Sequence, residues 1–315
     1  MKNLQVIVSG STGLVGQALC KQLRADGHAV RTLQRQTSGR SSPGSSVESR
    51  ATKSQGESIG WDPPHGLLDP QQLNGVDCVF HLAGHNIAAG RWTAQQKRLI
   101  RDSRVQATRL LVEQICRLPS PPRTFVCASA MGIYGDCGDR PVDESTPPAD
   151  SFLADVVSDW EAACQPLVDA GVRVVHPRFG MILSRSGGAL SQMLPVFRWR
   201  LAGRLGSGKQ YWSWIALADA VSAVQWMMHE PSAAGAYNVV APAAVTNAEF
   251  TNILAKALGV SAMLPAPAWG LRLAMGEMAD ALLLCSCRLV PQRLTDAGFQ
   301  FQYPQLAPFL AQETR

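Results

Sequence analysis

Apolar positions along the chain alternate between two periods. Residues 5–9 form a short β-branched run, and residues 14–25 follow with apolar side chains at Leu14, Ala18, Leu19 and Leu23, the spacing of one helix face. After an Asp26-Gly27 break a second run covers 29–33. Strand, helix and strand thus fit into the roughly thirty residues that a parallel crossover needs. The same rhythm predicts strands over 76–82, 124–129 and 172–177, and helices over 93–118 and 152–170. Strands alternating with helices imply an α/β fold, a doubly wound parallel sheet covered on both faces.

Residues 36–57 are mostly Ser, Gly, Thr, Gln and Arg with little to bury, which predicts a surface excursion that adds no core. From Gly180 the rhythm changes. Helices are expected over 193–199 and 218–229 and a strand over 236–240, with a smaller, mostly helical, Pro-punctuated remainder. The apolar stretch 269–285 is interrupted by Arg272, Glu277 and Asp280, so it reads as a packed helix, not a membrane span. These changes predict a nucleotide-type domain over 1–180, completed by about 216–240, and a small substrate domain from 181–215 and 241–315.

Composition narrows the function classes. With 315 residues, 46% hydrophobic, 17% charged and a net charge of +5, the chain is globular and mildly basic, with no Lys/Arg track for nucleic acid. Eight cysteines show no CxxC pair and no metal or disulfide spacing, so no metal is expected and free thiols in a reducing compartment are. The opening residues lack the layout of a secretion signal. The expected location is cytoplasmic, the expected state a monomer or homodimer, and neither nucleic acid nor membrane is an expected partner.

The first strand ends on Gly10-Ser11-Thr12-Gly13-Leu14-Val15-Gly16. Glycines at this spacing, between a strand and an amphipathic helix, let the backbone turn tightly, approach a pyrophosphate and pack helix on strand. The amides opening the helix and the positive end of its dipole then face phosphate. This is the signature of a Rossmann-type dinucleotide site. A carboxylate about twenty residues further on would bind a ribose 2′-hydroxyl. Arg35 stands there instead, and its planar guanidinium suits a 2′-phosphate, so NADP(H) is expected over NAD(H).

Further strings carry a family resemblance. His81-Leu82-Ala83-Gly84, Ser129-Ala130-Met131-Gly132-Ile133-Tyr134-Gly135 and Pro177-Arg178-Phe179-Gly180 resemble, in order, the motifs closing the fourth, fifth and sixth strands of the extended short-chain dehydrogenase/reductases, the NAD-dependent epimerase/dehydratase superfamily. Arg91-Trp92-Thr93, Arg101-Asp102-Ser103-Arg104-Val105, Gly206-Ser207-Gly208 and Gly276-Glu277 resemble its atypical YfcH-type "epimerase family protein" subgroup, which has a C-terminal domain of uncharacterised function. The resemblance implies NADP(H) as cofactor and adds His81, Leu82, Ala83, Gly84, Ser129, Pro177 and Arg178 to the glycine turn as its binding residues.

Typical members of the superfamily use a Tyr with a Lys four residues later, whose ammonium favours the phenolate. Here the residues four positions after Tyr134, Tyr211, Tyr237 and Tyr303 are Gly138, Ile215, Ala241 and Ala307. The candidates left for catalysis are Ser129, Tyr134 with an ordinary phenol pKa of about 10, and Asp155, which an equal-length alignment from Glu144 puts near the usual Tyr position. Asp159 follows one turn later on the same helix face. His85 and Asn86, Arg91 and Trp92, and Lys209 with Trp212 and Trp214 are candidate substrate contacts, the aromatics by stacking and the cations by holding an anion. The resulting expectation is an NADP(H)-dependent oxidoreductase or epimerase-like enzyme on a small molecule, the rival being a catalytically silent NADP(H)-binding sensor or scaffold.

Overall fold

The computed structural model describes residues 3–35 and 58–314, so the excursion expected over 36–57 lies outside the described residues. Strand β1 (Gln5–Ser9) leads through helix α1 (Leu14–Ala25) to β2 (Ala29–Arg35), and β3 (Ser58–Trp61) lies beyond it. The chain then returns through β4 (Cys78–His81), α2 (Ala94–Cys116), β5 (Thr124–Cys127) and the short β6 (Ser129–Ala130). Next come β7 (Pro141–Val142), α3 (Phe152–Ala162), α4 (Gln165–Asp169) and β8 (Arg173–Phe179). After β9 (Met181–Ser184), α5 (Gly188–Arg198), β10 (Tyr211–Trp212) and β11 (Trp214–Ala216), helix α6 (Leu217–His229) leads to β12 (Gly235–Val239).

The main sheet runs β3-β2-β1-β4-β5-β8-β12, every pairing parallel. The chain winds outward from β1 in one direction, then crosses back to β4 and winds outward in the other. The strand order therefore reverses between β1 and β4, and a crevice opens there at the strands' carboxyl ends. One face is packed by α1 and α6 around Val6, Val8, Leu19 and Val224. The other is packed by α2, α3 and α4 around Ile7, Phe125, Leu111 and Trp160. Central strands buried on both faces need continuous apolar runs, which is why β4 and β5 are buried at every position.

Thr93 and Ser151 cap α2 and α3 by accepting from Gln96 N and Ala154 N. The helix expected over 152–170 is two helices, because Pro166 opens α4 and cannot continue the hydrogen-bond ladder of α3.

The rest of the chain is β13 (Val245–Thr246), α7 (Asn247–Leu258), α8 (Ala268–Met275), α9 (Glu277–Ala279), β14 (Arg288–Leu289), α10 (Gln292–Asp296) and α11 (Leu306–Glu313). Trp212, Trp214, Phe250, Leu254 and Phe309 form a second core with α5. Stretch 269–285 departs from the expected packed helix: it breaks at Gly276, and α8 has no buried residue. No described helix is long and apolar enough to cross a membrane.

Candidate functional site

The glycine turn sits at the crevice between β1 and β4. Gly10 adopts φ +71°, and a Cβ there would lie 2.6 Å from the carbonyl carbon of Leu82, so only glycine lets the two strand ends approach. A Cβ on Gly16 would lie 2.1 Å from Gly10 O, which fixes how closely α1 rides on the turn. Gly13 caps α1 without a side-chain hydrogen bond, and no acidic residue occupies the first turn. The helix's leading amides and its positive dipole end are left to an anion. Arg35 ends β2 with an exposed side chain, opposite Trp61 on β3.

In the strand-four motif the backbone reaches the crevice while the His81 side chain is buried. His81 Nδ1 lies 2.6 Å from Ser9 Oγ, tying β4 to β1, and burial, aided by Arg35, pushes its pKa down to about 3. His81 is therefore a neutral structural link. Gly84 is exposed, and beneath it lies the Arg104 guanidinium, which a Cβ on Gly84 would meet at 3.3 Å. Arg104 donates to the carbonyls of His85 and Ile100 at 3.1 and 3.0 Å and packs on Trp160. Burial pushes its pKa down to about 10. The His85 amide donates to Ser103 Oγ at 2.9 Å, and the ring Nε2 lies 3.0 Å from Gln96 Nε2.

Asn86 turns back to accept from Ala88 N, and Trp92 donates to Ile87 O and meets Phe152 edge-on. Lys97 pairs with Glu277 at 2.6 Å, while the Arg91 guanidinium lies close to Gly276. The loop before α2 is thus fastened to the C-terminal region.

Three expected site residues, Ser129, Tyr134 and Arg178, join a buried network. Arg178 makes a two-pronged pair with Glu161, Nε and Nη2 both at 2.8 Å, and donates from Nη1 to the Tyr134 hydroxyl at 2.8 Å. That hydroxyl donates to Asn238 Oδ1 at 2.7 Å, and Ser129 Oγ donates to Glu161 at 2.5 Å. Burial raises the Tyr134 pKa to about 12 despite the Arg178 charge, which corrects the expected ordinary phenol. Burial also acts to raise the pKa of Glu161, but its bonds to Arg178 and Ser129 prevail and hold it below the usual carboxylate value. Pro177 is buried within β8. The side chains of Ser129, Tyr134 and Arg178 therefore tie the sheet to α3 and β12.

The aromatic cluster is also corrected. Trp214 is fully buried, stacks on Phe309 and donates to Ala243 O, and Trp212 packs against Phe250. Lys209 is exposed. Asp155 is exposed on the first turn of α3, whereas Asp159 is held by Arg101 of α2. Cys127, Cys164 and His176, distant in sequence, bring their donor atoms within 4.8 Å of one another. Both thiols belong to the apolar core, where burial raises the Cys127 pKa.

Sequence reasoning missed Glu161, Asn238 and Gln96 as site-shaping residues. An arginine inside the buried strand containing Arg178 was the available signal, because such a charge needs a carboxylate partner.

Fold and crevice define a dinucleotide-binding α/β protein of the short-chain dehydrogenase type. Residues 6–240 match the NAD dependent epimerase/dehydratase family and residues 266–313 a domain of unknown function, DUF1731, and the chain belongs to that epimerase family. It is 40% identical over 314 residues to Epimerase family protein Mb2239 of Mycobacterium bovis, covering 100% of this chain and 99% of the relative. The crystal structure of human epimerase family protein SDR39U1 with NADPH superposes with a TM-score of 0.85 at 31% identity, covering 98% of this chain and 99% of the other. A UDP-N-acetylglucosamine 4-epimerase from Bacillus cereus shares the fold, with a TM-score of 0.71 at 18% identity over 98% of each chain.

Proposed function

We propose that the protein binds NADP(H) across the β1/β4 crevice and acts as an oxidoreductase or epimerase-like enzyme on a small molecule, without the usual Tyr-Lys pair. The observation that carries this reading is the uncapped, acid-free start of α1 above a turn only glycine can make, with Arg35 at the end of the neighbouring strand. The human relative crystallised with NADPH supports the same cofactor. Gly10, Ser11, Thr12, Gly13, Leu14, Val15 and Gly16 would cradle the pyrophosphate, and Arg35 would meet the 2′-phosphate. Leu82, Ala83 and Gly84 would border the cofactor through their backbone. Bound there, the nicotinamide supplies a hydride donor or acceptor.

The chain's own part is to orient the ligand and handle a proton. His85, Asn86, Arg91 and Trp92 form the rim available to a substrate. Asp155, exposed on α3 one turn after the Phe152 that meets Trp92, is the proton-transferring candidate that the buried network does not consume. A second reading, a silent NADP(H) sensor or scaffold, is favoured by the locking of Tyr134 between Arg178 and Asn238. The free thiols suit the reducing cytoplasm, and we expect a monomer or homodimer.

The test is titration with NADPH and NADH in wild type and Arg35→Ala, followed by a carbonyl and nucleotide-sugar library monitored by absorbance and product analysis. NADPH preference that falls in the variant, with turnover of a library member, is the expected result. An unchanged preference removes Arg35 from the site, and cofactor binding with no product of any kind favours the sensor.

A further inference from the structure

Two segments far apart in sequence build one apolar surface. The chain leaving α5 runs alongside the chain entering α8: Leu264 N donates to Ala202 O, Ala266 N to Arg204 O and Gly206 N to Ala266 O. Gly203 is pressed against the Leu264 backbone, where a Cβ would lie 2.3 Å from its carbonyl oxygen. This backbone pairing sets Leu201 beside Met263 and Leu264, and all three are exposed. Trp199 precedes them at 75% exposure, and α8, entered directly from this pairing, exposes Trp269 and Leu273 at 71% and 73%, one turn apart. Large apolar side chains exposed together mark an interaction site, whereas single ones do not.

Charge around these apolar residues is predominantly positive. The sequence has no Asp or Glu between Asp169 and Asp219, nor between Glu249 and Glu277. Arg198, Arg200 and Arg204 are exposed among the apolar residues and make no ion pair with any described residue. Arg272 lies between Trp269 and Leu273 and pairs with Asp280. Arg200 is the one described non-glycine residue with positive φ, at +59°, in the position just past α5 where glycine is the ordinary occupant. Its strained backbone holds Trp199-Arg200-Leu201 as a projecting turn.

We propose that this face docks on an anionic lipid surface, with Trp199, Leu201, Met263, Trp269 and Leu273 entering the headgroup boundary and the arginines meeting the phosphates. Tryptophan and leucine flanked by arginine are the chemistry of a bilayer interface, where apolar burial and attraction to anionic lipid add. A second copy of the chain is the poorer occupant. A two-fold contact would bring Arg198, Arg200 and Arg204 against their equivalents, with Asp280 already taken up by Arg272. That no described helix is long and apolar enough to cross a membrane does not conflict with such docking, since the surface lies on the bilayer and does not cross it.

The test mixes the full chain with vesicles of phosphatidylcholine, with or without phosphatidylglycerol, and reads binding by cosedimentation at low and high salt. Binding to the phosphatidylglycerol vesicles that weakens in salt is expected. It should fall roughly fivefold for each of Arg198→Gln, Arg200→Gln and Arg204→Gln, and be lost in a Trp199→Ser/Trp269→Ser double variant. Unchanged NADPH affinity and melting temperature in these exposed-site variants would show that the fold is intact. No sedimentation with either vesicle, equal binding to both, or full binding by the double variant overturns the proposal. So does a gel-filtration dimer that the double variant dissociates while vesicles bind neither protein.

Discussion

Replacing Glu161 by Gln isolates the electrostatic core beneath the crevice. The change keeps side-chain volume and one acceptor for Ser129 or Arg178, but removes the charge opposite a guanidinium whose side chain is only 9% exposed; that of Glu161 is 16% exposed. Breaking a buried pair by removing one partner costs about 3–5 kcal/mol, because the other charge stays desolvated and uncompensated. The amide's residual hydrogen bond puts the expected loss near the lower figure. For a chain of this size such a loss lowers the melting temperature on the order of 5–10 °C. The sign of the pH dependence follows from Glu161's depressed pKa in the folded protein. Its stabilisation is fully present above the unfolded carboxylate value of about 4.3 and is lost as pH falls through the folded pKa. Urea unfolding of wild type and Glu161→Gln, at neutral pH and at stepwise lower pH, should therefore show a gap that narrows in acid. Equal midpoints at neutral pH, or a gap that widens on acidification, would refute the assignment.

Tyr134→Phe should cost about 1–2 kcal/mol in the same assay by leaving Asn238 and Arg178 short of a partner, and should leave any catalytic pH profile in place; a profile that loses one limb would return Tyr134 to the reaction. Gly16→Ala should weaken NADPH binding and cost about 1–3 kcal/mol, because its Cβ would fall 2.1 Å from Gly10 O and force α1 off the turn; calorimetric titration beside a melting curve checks both. Once a substrate is in hand, Asp155→Asn should lower kcat by 10²-fold or more, in line with the usual worth of a general acid or base, with NADPH affinity intact. A KM effect alone would make Asp155 a binding residue.

The parallel sheet was legible because its strands are apolar throughout and its helices carry one apolar face, as in β4 and α1. Strand β3 escaped notice: four residues including Gly60, directly after a polar stretch, leave too short a period to detect. The glycine turn was readable because only glycine satisfies its backbone, a constraint written in single residues. The network of Ser129, Tyr134, Glu161, Arg178 and Asn238 was not. Its members come from five segments, and their partnership exists only after the sheet order is set. Trp212 and Trp214 misled for the same reason, since a cluster of aromatics in sequence does not reveal whether α7 and α11 cover it.

Asn238 bears on how far the chain can be divided. Its backbone N–H donates to Glu144 Oε1, its side-chain amide donates to Val290 O, and its Oδ1 accepts from the Tyr134 hydroxyl. Nearby, β14 pairs with β7, Cys137 N donates to Ser286 O, and Ser213 Oγ is held between Cys287 O and Leu289 N. The two family matches end and begin at 240 and 266, yet hydrogen bonds and a strand pairing cross that boundary. Cutting the gene between them would orphan buried polar groups in the larger piece, so the two regions are expected to fold as one unit.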